Sequence, residues 1–192
     1  MGQYLLKIIL CAMLMPLWGA TSCLSAAGPE AILEIKASFL LNFMKFTRWP
    51  SDNLPIADHE FTLVVLGESP LSVQIKKDLD GQLIKGVPVR VSVYSNLQPL
   101  RQARIKPHAI FLTEGMAQHW PQIANIVAGQ PVLTMADFSD FCAQGGMLNL
   151  VRKEDKIHFE ANPEAANSAY LKLNAQLLRL AIIVSTPSEV IL

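Results

Sequence analysis

A long amphipathic segment near the start of the chain, residues 30–49, most constrains the possible fold. Apolar side chains recur along it at steps of three and four residues, which is the spacing of one helix face. They are Leu33, Ala37, Phe39, Leu40, Phe43, Met44 and Phe46. Pro50 disfavours helical geometry at Trp49, so we predict a helix that begins near Glu30 and ends before Pro50. An apolar face of this width needs a packing partner, which predicts a folded core around this helix.

The opposite side of this helix is polar and ends beside an aromatic residue. Asn42, Lys45 and Arg48 follow one another at steps of three residues, next to Trp49. Arg and Trp are enriched at the energetic centres of protein interfaces, so these four residues are candidates for a partner or ligand surface. The alternative is an ordinary solvated helix face. Glu160 is a further candidate, although a carboxylate before the predicted last helix also suits that helix's dipole.

Beyond this helix, short apolar runs alternate with segments that favour helices. We predict strands at residues 61–66, 87–94, 109–112 and 131–135, and helices at 70–79, 97–104, 115–127 and 137–143. This alternation predicts a single α/β domain with a mainly parallel sheet. Residues 147–151 and 156–161 flank a charged turn and predict a C-terminal antiparallel hairpin. A long last helix, from Pro163 to about Ile183 with Lys172 on its wet face, completes the predicted fold.

The overall composition fits a folded domain that does not bind nucleic acid. The chain has 16 Lys and Arg and 16 Asp and Glu, so it has no basic excess for a nucleic-acid partner. Hydrophobic residues make up 51% and charged residues 17%, which supports a packed core and argues against disorder.

The first 27 residues have the composition of an export signal. A lysine precedes an apolar run at residues 8–18, which is too short to span a membrane. Ser25 and Ala27 suit positions −3 and −1 of a cleavage site. The sequence therefore predicts a signal peptide at residues 1–27, a domain at residues 28–192 and a periplasmic location.

The cysteines allow no internal disulfide in the predicted mature chain. Cys11 and Cys23 fall in the signal, which leaves only Cys142. We interpret Cys142 as a small buried apolar residue rather than a redox centre. Cys23 follows Ala20-Thr-Ser in a loose match to a lipoprotein box, so lipid anchoring at Cys23 is the alternative to cleavage after Ala27.

Sequence motifs give no catalytic or metal site. Ligands of open α/β sheets bind outside the carboxyl ends of the strands, which selects the loops at residues 67–69, 113–115, 136–137 and 145–146. None of these loops is a glycine-rich phosphate loop, and the sequence has no Gly-x-Ser-x-Gly elbow. The four histidines have no paired metal spacing. We therefore predict turns and helix caps in these loops, with no enzyme activity, metal or cofactor.

Three blocks of sequence, taken together, resemble the YfiR-like family. Residues 36–50 contain the pattern Lys-Ala-x-Phe-Leu-x-Asn-Phe-x-Lys-Phe-x-x-Trp-Pro, which is similar to the opening signature of that family. Residues 61–70, Phe-Thr-Leu-Val-Val-Leu-Gly-Glu-Ser-Pro, look like its first strand and loop. Its closing hairpin and helix are similar to three segments here, residues 145–151, 156–162 and 171–181. Some members of the family carry cysteine pairs, but the position seven residues after Cys142 is Asn149, so that part of the pattern is missing.

This resemblance implies a regulatory protein. Similar proteins lie in the periplasm and repress an inner-membrane diguanylate cyclase by binding its periplasmic domain, which lowers cyclic di-GMP and biofilm formation. An outer-membrane lipoprotein can sequester such a repressor, and a homodimer is a further possible assembly. Two other functions stay open. A ligand-shaped crevice at the strand ends would favour a small-ligand sensor that relays to a membrane receptor kinase, and a convergent His, carboxylate and Ser or Cys set would favour a hydrolase.

Overall fold

The computed structural model describes residues 28–51, 60–102 and 105–187. The predicted signal peptide at residues 1–27, including Cys23, lies outside the described residues. Within them, one eight-stranded sheet has helices on both faces. This confirms the predicted α/β class, the mainly parallel sheet and the C-terminal antiparallel hairpin. No helix in the described ranges is long and apolar enough to cross a bilayer.

The helices and strands alternate along most of the chain. The helices are α1 (Pro29–Lys45), α2 (Pro70–Leu79), α3 (Gln98–Arg101), α4 (Trp120–Val127), α5 (Pro163–Ser168) and α6 (Ala175–Leu178), with a 3-10 helix at Glu114–His119. The first strands are β1 (Thr47–Arg48), β2 (Phe61–Leu66), β3 (Leu83–Ile84), β4 (Val87–Tyr94) and β5 (Ala109–Leu112). The later strands are β6 (Leu133–Ala136), β7 (Leu148–Lys153), β8 (Lys156–Ala161), β9 (Lys172–Leu173) and β10 (Ile182–Ile183).

The main sheet has the strand order β10-β8-β7-β6-β5-β2-β4-β3. Strands β4, β2, β5, β6 and β7 run parallel, whereas β8 returns antiparallel to β7, and β3 runs antiparallel to β4. β1 and β9 form a separate antiparallel ribbon. Sequence patterns did not predict β1, β3, β9 or β10, because two-residue strands are too short to show a periodicity.

Two apolar cores lie on the two faces of the sheet. β5 and β6 are buried along their whole length, as expected for central parallel strands covered on both sides. Alternate residues point to opposite faces, so Leu63 and Val65 of β2 face α1 and α2, whereas Val64 and Leu66 face α3 and α4. The sheet is thus the middle layer of a three-layer structure.

The apolar face of α1 packs on the sheet, as its sequence pattern predicts. Ala37, Leu40, Phe43 and Met44 are fully buried, and the Phe43 ring lies 5.0 Å from the Phe159 ring of β8 between centroids. This contact fixes the helix against the C-terminal hairpin.

The helix ends at Lys45, earlier than the predicted stop just before Pro50. Thr47 Oγ1 donates a hydrogen bond of 2.7 Å to the Phe43 carbonyl, which would otherwise lack a partner in the last turn. Thr47 and Arg48 then pair with β9. The chain therefore leaves the helix to form the ribbon, and Pro50 does not set the boundary.

The predicted long C-terminal helix is wrong. Between Pro163 and Ile183 the chain forms α5, β9, α6 and β10 instead of one helix. The apolar residues of this stretch recur at helical spacing, yet they are divided among four short elements. Periodicity could not predict these breaks, because a chain reversal changes the direction of the backbone without interrupting the apolar pattern.

A left-handed residue ends α5. Tyr170 has a φ of 60°, and its N–H donates to the Asn167 carbonyl at 3.0 Å. The Leu171 N–H donates to the Ala166 carbonyl at 2.9 Å. These two bonds form a Schellman motif, in which a buried apolar residue usually follows the left-handed one. Leu171 is fully buried and has that role here.

Candidate functional site

The polar residues predicted at the end of the first helix are exposed, although Arg48 lies in β1 rather than in α1. Asn42, Lys45 and Arg48 are all exposed to solvent. In the described part of the chain, Lys45 and Arg48 make no ion pair. These three residues therefore form a hydrophilic surface at the C-terminal end of α1.

Trp49, which the sequence places on the same surface, is instead buried. Its side chain is only 7% exposed, and its Nε1 donates to the His108 carbonyl at 3.2 Å. Its ring lies 5.4 Å from the Phe61 ring between centroids. Arg48, the residue before it, is exposed, so the burial of Trp49 separates it from the polar residues of this surface. Trp49 attaches the end of the α1–β1 segment to the sheet rather than contacting a partner.

The β1–β9 ribbon brings a further basic residue to Arg48. Lys172 lies directly opposite Arg48 in the antiparallel register, and both side chains are exposed. Their neighbours Thr47 and Leu173 form the next pair, on the other face of the ribbon. Sequence analysis missed this pairing because it placed Lys172 on a long helix. No local pattern indicates the pairing, because strands of two residues are too short to show a periodicity.

Glu160 lies in a second group of polar residues, on the β7–β8 hairpin rather than on the β1–β9 ribbon. It is opposite Asn149 in the β7–β8 hairpin, and Asn149 Nδ2 donates to Glu160 Oε2 at 3.1 Å. The same Nδ2 donates to the Phe138 carbonyl at 2.9 Å. Asn149 is fully buried, so it fixes the turn that follows β6 to the hairpin.

The turn after β6 also holds α1. Asp137 does not cap a helix, because residues 137–143 form turns rather than the predicted helix. Its Oδ2 instead accepts a hydrogen bond of 2.9 Å from Lys36 Nζ, and the two side chains are 12% and 21% exposed. Within the described ranges, two buried oxygens of this group, Asp137 Oδ1 and Asn149 Oδ1, have no hydrogen-bond partner. The group connects α1, the turn and the hairpin at the carboxyl edge of β6.

The Cys142 thiol, beside this group, has a pKa that disfavours its reactive form. Burial, together with the negative charge of Glu160, raises the pKa of Cys142 to about 12, against a smaller opposing effect of the hydrogen bond with the Asn162 backbone. The thiol therefore stays protonated at neutral pH, and the reactive thiolate is scarce. Asn162 Nδ2 donates to the Cys142 carbonyl at 2.9 Å, so the residue is part of the hairpin packing.

The other loops selected from the sequence form turns and caps. Ser69 and Ser72 cap the start of α2 through reciprocal hydrogen bonds between side chain and backbone. Gly67 has a φ of 96°, and a β-carbon there would collide with Thr113 Oγ1. Helix capping therefore explains the two serines, and the left-handed backbone explains the glycine, without a ligand.

Comparison with known proteins assigns the chain to a family. The sequence profile of the YfiR/HmsC-like family matches residues 33–182. The chain belongs to the YfiR/HmsC-like family. The match runs from the first half of α1 to β10, so it includes both groups of polar residues. It confirms the resemblance seen in the sequence and, at the level of the family, supports a periplasmic regulator of a diguanylate cyclase.

The remaining comparisons add no relative of known function to this YfiR/HmsC-like protein. No curated protein matches the chain. Among solved structures, a crystal structure of the ABC domain in complex with L-Trp from Streptococcus pneumonia is 11% identical, with a TM-score of 0.47. The alignment covers 64% of this chain and 54% of that one. A likeness of this size supports no functional inference.

An open groove of about 480 Å³ lies between α4 and α5 of this YfiR/HmsC-like protein. Trp120, Met147 and Glu164 contribute to its walls, and its lining contains no His or Cys. Among the loops selected from the sequence, it touches only the one at Gly145. In the described ranges, no three His, Cys, Asp or Glu side chains form a metal cluster. The groove therefore gives no specific support to the sensor or the hydrolase.

Proposed function

We propose that this protein is a periplasmic repressor that binds the periplasmic domain of an inner-membrane diguanylate cyclase. Binding would lower cyclic di-GMP synthesis and biofilm formation. The observation that carries the proposal is the family match over residues 33–182, which covers nearly all of the α/β domain. Export through the signal at residues 1–27, with cleavage after Ala27, is part of the proposal because the partner domain lies in the periplasm.

The exposed end of α1 suits a protein partner because it is held rigidly. Phe43 is fully buried against Phe159, and Thr47 closes the last turn. Binding residues on a fixed helix lose little conformational entropy when a partner binds, so such a helix supports specific recognition. Lys45 and Arg48 are the charged residues that we assign to the contact, with Asn42 as a hydrogen-bonding neighbour.

Repression of this kind is a shift between two states of the cyclase. A repressor that prefers the inactive state shifts the population only as far as its difference in affinity allows. An outer-membrane lipoprotein that covers the same α1 surface would release the cyclase by competition. No catalytic group is needed in this scheme, which agrees with a regulatory family.

A deletion experiment tests the proposed function. Deleting the gene should raise cellular cyclic di-GMP and biofilm, and a plasmid copy of the full chain should restore both. A plasmid copy of residues 28–192 without the signal should not restore them, because it stays in the cytoplasm. Unchanged cyclic di-GMP in the deletion strain would contradict the repressor function.

Charge reversal tests the assigned surface. Lys45→Glu together with Arg48→Glu should not lower the melting temperature, because exposed polar side chains alter stability by less than about 0.5 kcal/mol each. The same variant should fail to restore low cyclic di-GMP in the deletion strain. Full restoration by a stable variant would remove Lys45 and Arg48 from the partner surface.

A further inference from the structure

The β1–β9 ribbon carries two positive charges that no described residue balances with an ion pair. Arg48 and Lys172 lie directly opposite each other, and like charges in that position repel. Neither makes an ion pair with any described residue. The sequence has no Asp or Glu at residues 35–51 or 165–187, and the nearest acidic residues along the chain are Asp52, four residues after Arg48, and Glu164, eight residues before Lys172. The whole chain has no net charge, which makes this local excess notable.

A second cross-strand pair of basic residues has acidic neighbours that balance its charge. Lys153 and Lys156 are opposite each other at the tip of the β7–β8 hairpin, and both are exposed. The turn between them contains Glu154 and Asp155. Arg152 of the same tip donates to Asp155 at 2.7 Å. The hairpin tip is therefore balanced within its own turn, whereas the β1–β9 ribbon has no acidic partner among residues 28–51, 60–102 and 105–187.

An exposed aromatic residue lies beside the ribbon in an unfavourable conformation. Tyr170 comes two residues before Lys172, and 68% of its surface is exposed. Its φ of 60° is in the left-handed region, where glycine is the usual residue at the end of a helix. A tyrosine there is less stable than a glycine and covers little apolar surface in return. Folding alone does not explain why the position carries an aromatic ring.

We propose that Arg48, Lys172 and Tyr170 form one docking surface for an acidic patch on a partner protein, with Lys45 at its margin. The proposal rests on the proposed function and names the chemistry of the cyclase domain that contacts this repressor. Arg and Tyr are among the residues most enriched at interface hot spots, and opposite charges across an interface accelerate association. The acidic patch would supply the counter-charge that the ribbon lacks.

A protein partner fits this surface better than an anionic membrane. Basic segments that bind lipid surfaces usually cluster about 4–8 Lys or Arg residues. The docking surface has three basic residues, Lys45, Arg48 and Lys172, beside one aromatic ring. Its small size and fixed geometry suit a specific acidic patch.

Single charge reversals with a matched control test the surface. The binding partner is the purified periplasmic domain of the cyclase whose activity rises when this gene is deleted. Lys172→Glu should weaken binding at least about tenfold, because a repulsive pair replaces an attractive one. Lys156→Glu makes the same charge change on the other cross-strand pair and should leave binding unchanged. Raising the salt from about 0.01 M to about 0.15 M should weaken binding by the wild-type protein and have less effect on Lys172→Glu.

Tyr170→Gly separates binding from folding. This change should keep or raise the melting temperature, because glycine suits the left-handed conformation, and should still weaken binding several-fold. Equal binding by wild type and Lys172→Glu would overturn the docking surface and leave the repressor function intact. Failure of the wild-type protein to bind the cyclase domain would overturn both. Phosphatidylglycerol vesicles can be tested in the same way. If they retain the wild-type protein but not Lys172→Glu, while both proteins bind the cyclase domain equally, the surface binds a membrane and the proposal is overturned.

Discussion

Replacing Phe43 tests how α1 is held, since its ring is the centre of the contact between that helix and the hairpin. Phe43 is fully buried, with ring centroids 5.8 Å from Phe39 and 5.0 Å from Phe159. A buried aromatic side chain covers about 150–250 Å². At about 25 cal/mol per Å², that burial contributes about 4–6 kcal/mol to stability. Alanine keeps part of this contact, so Phe43→Ala should lower the free energy of unfolding by about 3–5 kcal/mol.

Phe46 on the same helix is the matched control. Its side chain is 36% exposed, so Phe46→Ala leaves no closed cavity. Its cost should be no more than about 2 kcal/mol. Urea denaturation of both variants, followed by far-ultraviolet circular dichroism, measures the two free energies, and a constant m-value shows that the unfolding reaction is the same. Equal costs for Phe43→Ala and Phe46→Ala, or a cost below about 1 kcal/mol for Phe43→Ala, would refute the packing described for α1.

Three further predictions concern single groups. Cys142→Ser should lower the free energy of unfolding by about 1 kcal/mol, because it places a hydroxyl in an apolar site, and the variant should still repress. A covalent dimer linked through Cys142 would contradict a purely structural role for this thiol. The hydrogen bond from Lys76 is the main cause of the lowered pKa of Asp80. Its stabilising effect is therefore present above the unfolded pKa of about 3.9 and is lost as the pH falls through the lower pKa of the folded state. Urea denaturation should show Asp80→Asn to be less stable than wild type at neutral pH, with a difference that disappears below the folded pKa. Mass spectrometry of the periplasmic protein should find Gly28 at the N-terminus, whereas a diacylated Cys23 would replace cleavage by lipid anchoring.

The sequence predicted the parts of the fold that depend on local pattern. The apolar face of α1 was predicted correctly for residues such as Leu40 and Phe43, which recur at the helical period over several turns. The prediction was wrong for Phe46, which lies beyond the end of the helix and is 36% exposed. The central strands were predicted from continuous apolar runs such as residues 109–112, which occur where both faces of a strand are covered. The exposure of Asn42 and Lys45 followed from the same helical pattern.

The sequence did not predict features that depend on distant contacts. The bond between Lys36 and Asp137 joins residues 101 positions apart, and no local pattern indicates it. Strand β1 forms only because β9 lies beside it, so the position of Arg48 depends on this pairing and not on a helix face. Trp49 lies just after β1 and is buried against Phe61 and the His108 carbonyl. Tyr170 breaks the predicted last helix in a conformation that its residue type does not favour.

Cyclase activity measured in inner-membrane vesicles tests the repressor function most directly. The mature protein would be added from the periplasmic side at increasing concentration while cyclic di-GMP synthesis is recorded. We predict a saturable fall in synthesis with the wild-type protein and with Lys156→Glu, and a curve displaced to higher concentration with Lys172→Glu. Synthesis that stays constant at every concentration of the wild-type protein would contradict the account.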